Sequence, residues 1–326
     1  MFDADTVRRS PARNGELDKG PFFVYNELLR NIPEVRETMA ELCNLCPRRC
    51  GVPRGEGFCG MGDAPRIARA APHYDEEPVI SGTRGSGAVF FSGCALRCRF
   101  CQNMEISREN FGKTVSVARL REIYHELADR GVHNLNLVNP THWAGVIYDS
   151  LEGWNRLPVV WNSGGYERVE TLRAMEGRVQ VYLPDLKYVS PDLSARYSGA
   201  RDYFEFAAPA LKEMFRQVGP VELDSEGIIR SGLIVRHLIL PGQVENSKQA
   251  LTWIAENLPG AWVSLMAQYL PMGNIKGVDQ LERPITQAEY DEVCEHMFDL
   301  GLEDGFVQEL EASDAKYIPA WDLTGI

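Results

Sequence analysis

The sequence has no run near the ~18 uninterrupted apolar residues that a membrane-crossing helix requires. Its opening, Met1-Phe2-Asp3-Ala4-Asp5, is acidic where a secretory leader would be basic and then apolar. Both absences predict a protein that works in water, and the expected compartment is the cytoplasm. Basic charge is also scarce: 34 Lys and Arg stand against 46 Asp and Glu, a net charge of −12 that repels a phosphate backbone over most of the surface. Neither a membrane nor a nucleic acid is expected as a partner. No Walker loop and no Ser-His-Asp pattern stands out. The stretch Gly82-Thr83-Arg84-Gly85-Ser86-Gly87 has the composition of a phosphate loop, but it precedes a strand and opens no helix. General disorder is excluded by 44% apolar residues, an ordinary share for a globular protein.

The chain does carry eight cysteines, and they are clustered: Cys43, Cys46, Cys50 and Cys59, then Cys94, Cys98 and Cys101, then Cys294 alone. Gaps of two and three residues in a chain of 326 suit metal or iron–sulfur ligation, whereas disulfide frameworks belong to short secreted domains. The four-cysteine group is threaded with Pro47, Gly51, Pro53, Gly55, Gly57 and Gly60, turns that let four thiolates converge. Two occupants are chemically reasonable there, a tetrahedral Zn²⁺ or a second, fully ligated [4Fe–4S] cluster. Arg48, Arg49 and Arg54 would favour the thiolates. Cys294 falls inside a predicted helix beside Tyr290, Met297 and Phe298 and is expected to be a buried core thiol.

From Ala88 onward, short β-branched or apolar runs alternate with amphipathic stretches, the rhythm of repeated βα units. Strands are predicted at 88–92, 134–138, 158–161, 179–183, 233–240 and 262–266. Helices are predicted at 117–130, 204–218, 247–258 and 287–300, the last opened by a Thr286/Glu289 capping box and closed by Gly301. A hairpin is expected around Asp224-Ser225-Glu226-Gly227, and Phe306–Leu310 reads as an added strand or an edge cover. The expected fold is α/β: a partial (β/α)6 TIM-type barrel with an N-terminal Cys-rich module. Its parts are a polar tail (1–21), a helical segment with the four-Cys metal module (22–84), the barrel (85–310) and a C-terminal loop tail (311–326).

Cys94-x3-Cys98-x2-Cys101 follows the first predicted strand, which places its thiolates at the C-terminal mouth of the barrel. A [4Fe–4S] cube normally takes one cysteine at each iron, so three ligands leave one iron open. An open position distinguishes a centre that binds substrate from one that staples a fold.

This loop, its place after strand one and the six βα units resemble the radical SAM superfamily, over about residues 85–310. At finer grain the chain resembles the pyruvate formate-lyase-activating-enzyme-related (PflX-type) iron–sulfur proteins. That likeness is carried by Glu76-Glu77-Pro78-Val79-Ile80-Ser81-Gly82, by Asn136-Leu137-Val138-Asn139-Pro140-Thr141-His142, and by Leu183-Pro184-Asp185-Leu186-Lys187-Tyr188. Val235 to Gly242 and Ser264 to Tyr269 add to it. The resemblance implies that Cys94, Cys98 and Cys101 hold a [4Fe–4S] cluster whose fourth iron is chelated by S-adenosylmethionine. One electron then cleaves the sulfonium to a 5′-deoxyadenosyl radical that abstracts hydrogen. It also places Phe100 near adenine, Asn162, Ser163 and Gly164 near methionine or ribose, and Lys187, with Arg236 second, at the methionine carboxylate.

One departure stands out. The superfamily usually shows Gly-Gly-Glu-Pro after strand two, where this chain has Asn139-Pro140-Thr141-His142, leaving carbonyls, Asn139, Thr141 or Asn162 to receive the amine. Plainer roles stand beside these: an ion pair of Lys187 and Arg236 with Asp185, core packing for Phe100, and structural hydrogen bonds for His142 and His237. The run Asp75-Glu76-Glu77 reads either as a solvated face or as part of the site. The function expected is radical SAM chemistry, either as an activase of a glycyl radical protein or, alternatively, as a modifying enzyme of a small molecule, peptide or RNA. The alternative is an iron–sulfur electron-transfer or scaffold protein. An electron donor such as flavodoxin or ferredoxin is the expected partner.

Overall fold

The computed structural model describes residues 42–310 and 318–326. The predicted tail at 1–21 and nearly all of the helical segment from Phe22 to Leu42 lie outside the described residues. In chain order the elements are β1 (Arg66–His73), α1 (Pro78–Ser81), β2 (Ser86–Phe91), α2 (Met104–Ser107), β3 (Lys113–Thr114), α3 (Val117–Asp129), β4 (Leu135–Val138), α4 (Ala144–Ser150) and β5 (Val159–Ser163). They continue with α5 (Val169–Ala174), β6 (Val181–Pro184), α6 (Pro191–Ser198), α7 (Tyr203–Val218), β7 (Glu222–Leu223), β8 (Ile229–Leu238), α8 (Val244–Asn257), β9 (Trp262–Met266), α9 (Gln287–Asp299) and β10 (Gly305–Val307).

Strands β2, β4, β5, β6, β8 and β9 pair in parallel, each with the next in that order. The order never reverses, as it would in a doubly wound sheet, and so the crossovers wind one way and the sheet curls. The result is the expected partial (β/α)6 barrel, with β10 parallel on β9 at one edge and β1 antiparallel on β2 at the other.

Strand alternation divides the packing. One face of the sheet carries Leu137, Trp161, Tyr182, Val235 and Leu265 into the main core together with helix residues such as Leu120, Ile123 and Ile254. The other face carries Val160, Val181, Leu183 and Ile234, which pack on Val79 and Ile80 of α1. That short helix, opened by Pro78 at its first turn, fills the barrel near the strand starts. Each such buried aliphatic side chain contributes about 2 kcal/mol. The end near the strand carboxyl termini is left to polar side chains.

The 262–266 strand and the Thr286/Glu289 capping box are found as expected. So is the hairpin, where Asp224 Oδ1 accepts from Glu226 N at 2.9 Å and Ile228 N at 3.0 Å. Two features differ from expectation. Residues 66–73, read as part of the Cys-rich module, form β1, whose Ala- and Arg-rich pattern lacks clean alternation. The C-terminal tail, expected as loop, runs along β1 in its described part: Ala70 N donates to Thr324 O at 2.8 Å and Leu323 N to Ala68 O at 3.2 Å. Trp321 meets the ring of Phe90 edge-on at 5.3 Å.

Candidate functional site

The loop after β2 is fixed first by its backbone. Ser92 O accepts from His142 Nε2 at 2.7 Å and from Trp143 Nε1 at 3.2 Å. Burial pushes His142 down to about 4, which keeps it neutral and a donor, the structural role. Gly93 follows at φ +80°, where a Cβ would stand 2.4 Å from Met61 Cγ.

Cys94, Cys98 and Cys101 then line one cavity of about 150 Å³ at the strand carboxyl ends. Each sulfur receives a hydrogen bond: Cys94 from Leu96 N at 3.3 Å, Cys98 from Ser198 Oγ at 3.0 Å, Cys101 from Ser107 Oγ at 3.3 Å. Burial, reinforced by Cys98, raises the Cys101 thiol to about 12, and burial likewise raises Cys94. A bound metal would favour the thiolate form that this burial opposes. Among the described residues no group of three or more His, Cys, Asp or Glu is placed to hold a single metal ion. Three hydrogen-bonded sulfurs around a cavity, not around a point, fit a cube that offers each thiolate its own iron.

Asn139, Asn162, Ser163, Gly164, Asp185, Lys187 and Arg236 line the same cavity. Asn139 sits at φ 61°, a left-handed position Asn tolerates, and its side-chain amide donates to Gly93 O. Gly165, at φ +74°, lets the loop after β5 press on the end of β6: a Cβ there would lie 2.1 Å from Asp185 O.

Asp185 accepts from Arg236 Nε at 2.9 Å and from the Lys187 ammonium. Burial opposes its charge, but Lys187 and Arg236 outweigh that and hold the carboxyl low, while burial of Lys187 is outweighed by Asp185. The expected ion pair and the cavity position are therefore both present. Glu76 completes the network. Its Oε1 accepts from Asn136 Nδ2 at 3.1 Å and Asn162 Nδ2 at 3.0 Å, and its Oε2 from Arg236 Nη1 at 3.2 Å. The acidic run is thus not simply a solvated face: Glu76 is inserted in the barrel, and Glu77 is buried and raised by that burial.

Phe100 lines an adjoining cavity of about 230 Å³ that shares Cys98, Cys101, Asn162, Lys187 and Arg236 with the first, and its ring packs against Tyr197 and Tyr269. Ile318 and Pro319 wall this second cavity. Thr141 does not line either space: it donates to Glu167 Oε1 at 2.6 Å in the core behind them. His237 bridges Leu186 O and Ser247 Oγ, again structurally. Glu76 and Asp185 are the residues the sequence reading left outside its site, although the acidic run pointed to the first and the Lys187 ion pair to the second. A larger depression of about 590 Å³ around Leu157, Arg178 and Arg230 contains no cysteine and stands apart from this chemistry.

In the four-cysteine module, burial raises Cys46 to about 12 and likewise raises Cys59. Phe58 N donates to Cys50 Sγ at 3.3 Å, and Arg54 Nη1 stands 3.8 Å from Cys43 Sγ. The four thiols share a neighbourhood without converging on one point. Cys294 is half-buried, not fully buried as expected, because its helix α9 lies at the periphery with Phe298 exposed.

Residues 81–176 match a family of 4Fe–4S single cluster domains. The chain is 29% identical over 285 residues to an uncharacterised protein of Methanocaldococcus jannaschii, covering 84% of this chain and 79% of that one. Among solved structures it is similar to methylornithine synthase, with a TM-score of 0.46, 14% identity and coverage of 72% of this chain and 68% of the other. It is also similar to Streptococcus suis SuiB bound to its precursor peptide, with a TM-score of 0.45, 12% identity and coverage of 67% of this chain. The chain spans only 47% of SuiB. No described helix is long and apolar enough to cross a membrane.

Proposed function

We propose that this protein is a radical SAM enzyme. The observation that carries this reading is the union, in one cavity, of the three cysteines of a Cys-x3-Cys-x2-Cys loop with Asn162, Lys187 and Arg236. The match of residues 81–176 to 4Fe–4S single cluster domains supports it. A [4Fe–4S] cluster held there with one open iron would supply reductive cleavage of S-adenosylmethionine to methionine and a 5′-deoxyadenosyl radical able to abstract hydrogen.

The chain's own residues have definable tasks. Cys94, Cys98 and Cys101 would hold the cluster. Lys187 and Arg236 present the cations for the methionine carboxylate, with Asp185 keeping both charged inside the barrel. Glu76, entering from the segment between β1 and α1, supplies a carboxylate at the adjoining cavity, where the usual Gly-Gly-Glu is missing, and it orients Asn162. Phe100 and the segment at Ile318 and Pro319 exclude water from the adjoining space.

The test is anaerobic. The reconstituted protein is mixed with S-adenosylmethionine and dithionite, and 5′-deoxyadenosine is measured by mass spectrometry. Formation is expected, and Cys98→Ala should abolish it. An intact, reduced cluster that forms none, alone or with candidate substrates, would overturn the reading. Activation of a glycyl radical protein is the finer proposal, supported by the resemblance of the segments around Glu76 and Arg236. Its signature is a glycine-centred radical on the added partner, seen by electron paramagnetic resonance. A second metal centre at Cys43, Cys46, Cys50 and Cys59 is proposed with it; the four thiols do not meet at one point as a Zn²⁺ ion requires, and elemental analysis should find about four further irons per chain.

A further inference from the structure

A groove of about 370 Å³ lies against the outer side of the cysteine loop. Its lining includes Arg97, Arg99, Arg108 and Arg196, with no carboxylate among the lining residues. On a chain of net charge −12 this is an unusual concentration of one sign. Arg97 and Arg99 flank Cys98 in sequence: Cys98 lines the cysteine cavity, while its two neighbours line the groove. Arg97 is held at φ 50°, a conformation uncommon for a residue with a side chain. Its guanidinium lies 5.1 Å from the ring of Phe58, which is 40% exposed at the groove.

The hydrogen bonds of three of these arginines leave their charge unanswered. Arg99 Nε donates to Asn274 O at 3.2 Å, and Arg108 donates to Arg97 O. The Nε atoms of Arg97 and Arg108 are buried without a partner. Among the described residues Arg97, Arg99 and Arg108 form no ion pair with a carboxylate. Leu96 lines both this groove and the cysteine cavity, so the two spaces are separated by the thickness of the loop.

We propose that this groove is the docking surface for an acidic one-electron carrier protein, with Phe58 as the apolar anchor of an arginine-rich interface. The inference rests on the functional reading above, which requires an electron from outside the chain. One electron leaves the reduced carrier, which is oxidised by one, and enters the cysteine-held centre across the loop. Opposite charge steers the encounter and brings the carrier's redox group to the wall nearest that centre.

The experiment uses the reconstituted full-length enzyme and an acidic flavodoxin in its hydroquinone form, which becomes the semiquinone. Stopped-flow absorbance gives the second-order rate of cluster reduction, and calorimetry gives the affinity. For Arg99→Glu with Arg97→Gln, the rate and the affinity at low salt should each fall at least tenfold, and the gap should close as salt rises. Iron content and reduction by photoreduced deazaflavin should be unchanged. Arg99→Gln alone provides a milder variant should the double substitution fail to fold. Rates and affinities that ignore both substitutions, or a wild-type rate flat in salt, would overturn the docking surface. Failure of the wild type to assemble any cluster would instead overturn the functional reading, and calorimetry would still decide the docking.

Discussion

Ser198 Oγ donates to Cys98 Sγ over 3.0 Å and shares a bond of 2.8 Å with Tyr188 Oη. Arg48, from the four-cysteine module, holds the backbone on both sides of that contact: it donates to Ala95 O at 2.7 Å, Ser198 O at 2.9 Å and Gly199 O at 2.6 Å. A hydrogen bond to a ligand sulfur favours the more negative, reduced state and raises the potential. Ser198→Ala should therefore lower the midpoint potential by on the order of 40 mV, the equivalent of about 1 kcal/mol, without loss of iron. A redox titration followed by electron paramagnetic resonance measures it, and an unmoved potential would mean the hydroxyl does not act on the centre. Glu76→Gln tests the barrel interior in the same spirit. It keeps the shape but sets an amide where Asn136, Asn162 and Arg236 all donate, and affinity for S-adenosylmethionine should weaken about tenfold by calorimetry. Affinity within twofold of wild type would remove Glu76 from the site. The cysteines were legible in the sequence because ligand spacing is local. Glu76 was only half legible, since a carboxylate 60 residues from Asn136 becomes a partner only through the sheet.

The loop following β5 depends on two adjacent glycines whose needs differ. At Gly165 a Cβ would stand 2.1 Å from the Asp185 carbonyl oxygen in a left-handed conformation, whereas at Gly164 it would stand 2.9 Å from Leu96 Cδ1, the far end of a movable side chain. Gly165→Ala should cost more than about 2 kcal/mol and lose the placement of Asp185 and Lys187, while Gly164→Ala should cost about 1 kcal/mol or less. Denaturant titration of the pair checks the order, and equal losses would contradict this account of the loop. At the barrel edge, Trp321→Ala removes the contact with Phe90 and should speed hydrogen exchange at the Ala70 amide, now bonded to Thr324 O. Unchanged protection would show that the segment docks without Trp321. Elements such as β9 and α9 were legible because periodicity and caps are written in consecutive residues. The strand β1 and the C-terminal segment were not, because their pairing is set by a distant neighbour and not by their own alternation.

Across the whole molecule, buried histidines and buried glutamates set opposing pH responses. Burial holds His142 and His237 down to about 4, below the ordinary 6.5, so the stability each contributes is present above pH 6.5 and is lost as pH falls toward 4. Glu167 is the reverse case. Fully buried, with Oε2 unpartnered, it is raised from 4.5 to about 7 by burial, so its contribution is intact below pH 4.5 and lost as pH rises through 7. Each shift of this size corresponds to roughly 3 kcal/mol over its full window. Glu167→Gln removes the opposing contribution while keeping an acceptor for Thr141 Oγ1, whose bond to Glu167 is 2.6 Å. The stability of this variant relative to wild type should therefore grow by about 2–3 kcal/mol from pH 5 to pH 8. Urea unfolding at pH 5, 6.5 and 8 reads that difference directly. A gap that stays constant with pH would mean that Glu167 titrates alike in the folded and unfolded chains, and that the carboxyl behind Thr141 is not held in its neutral form by the core.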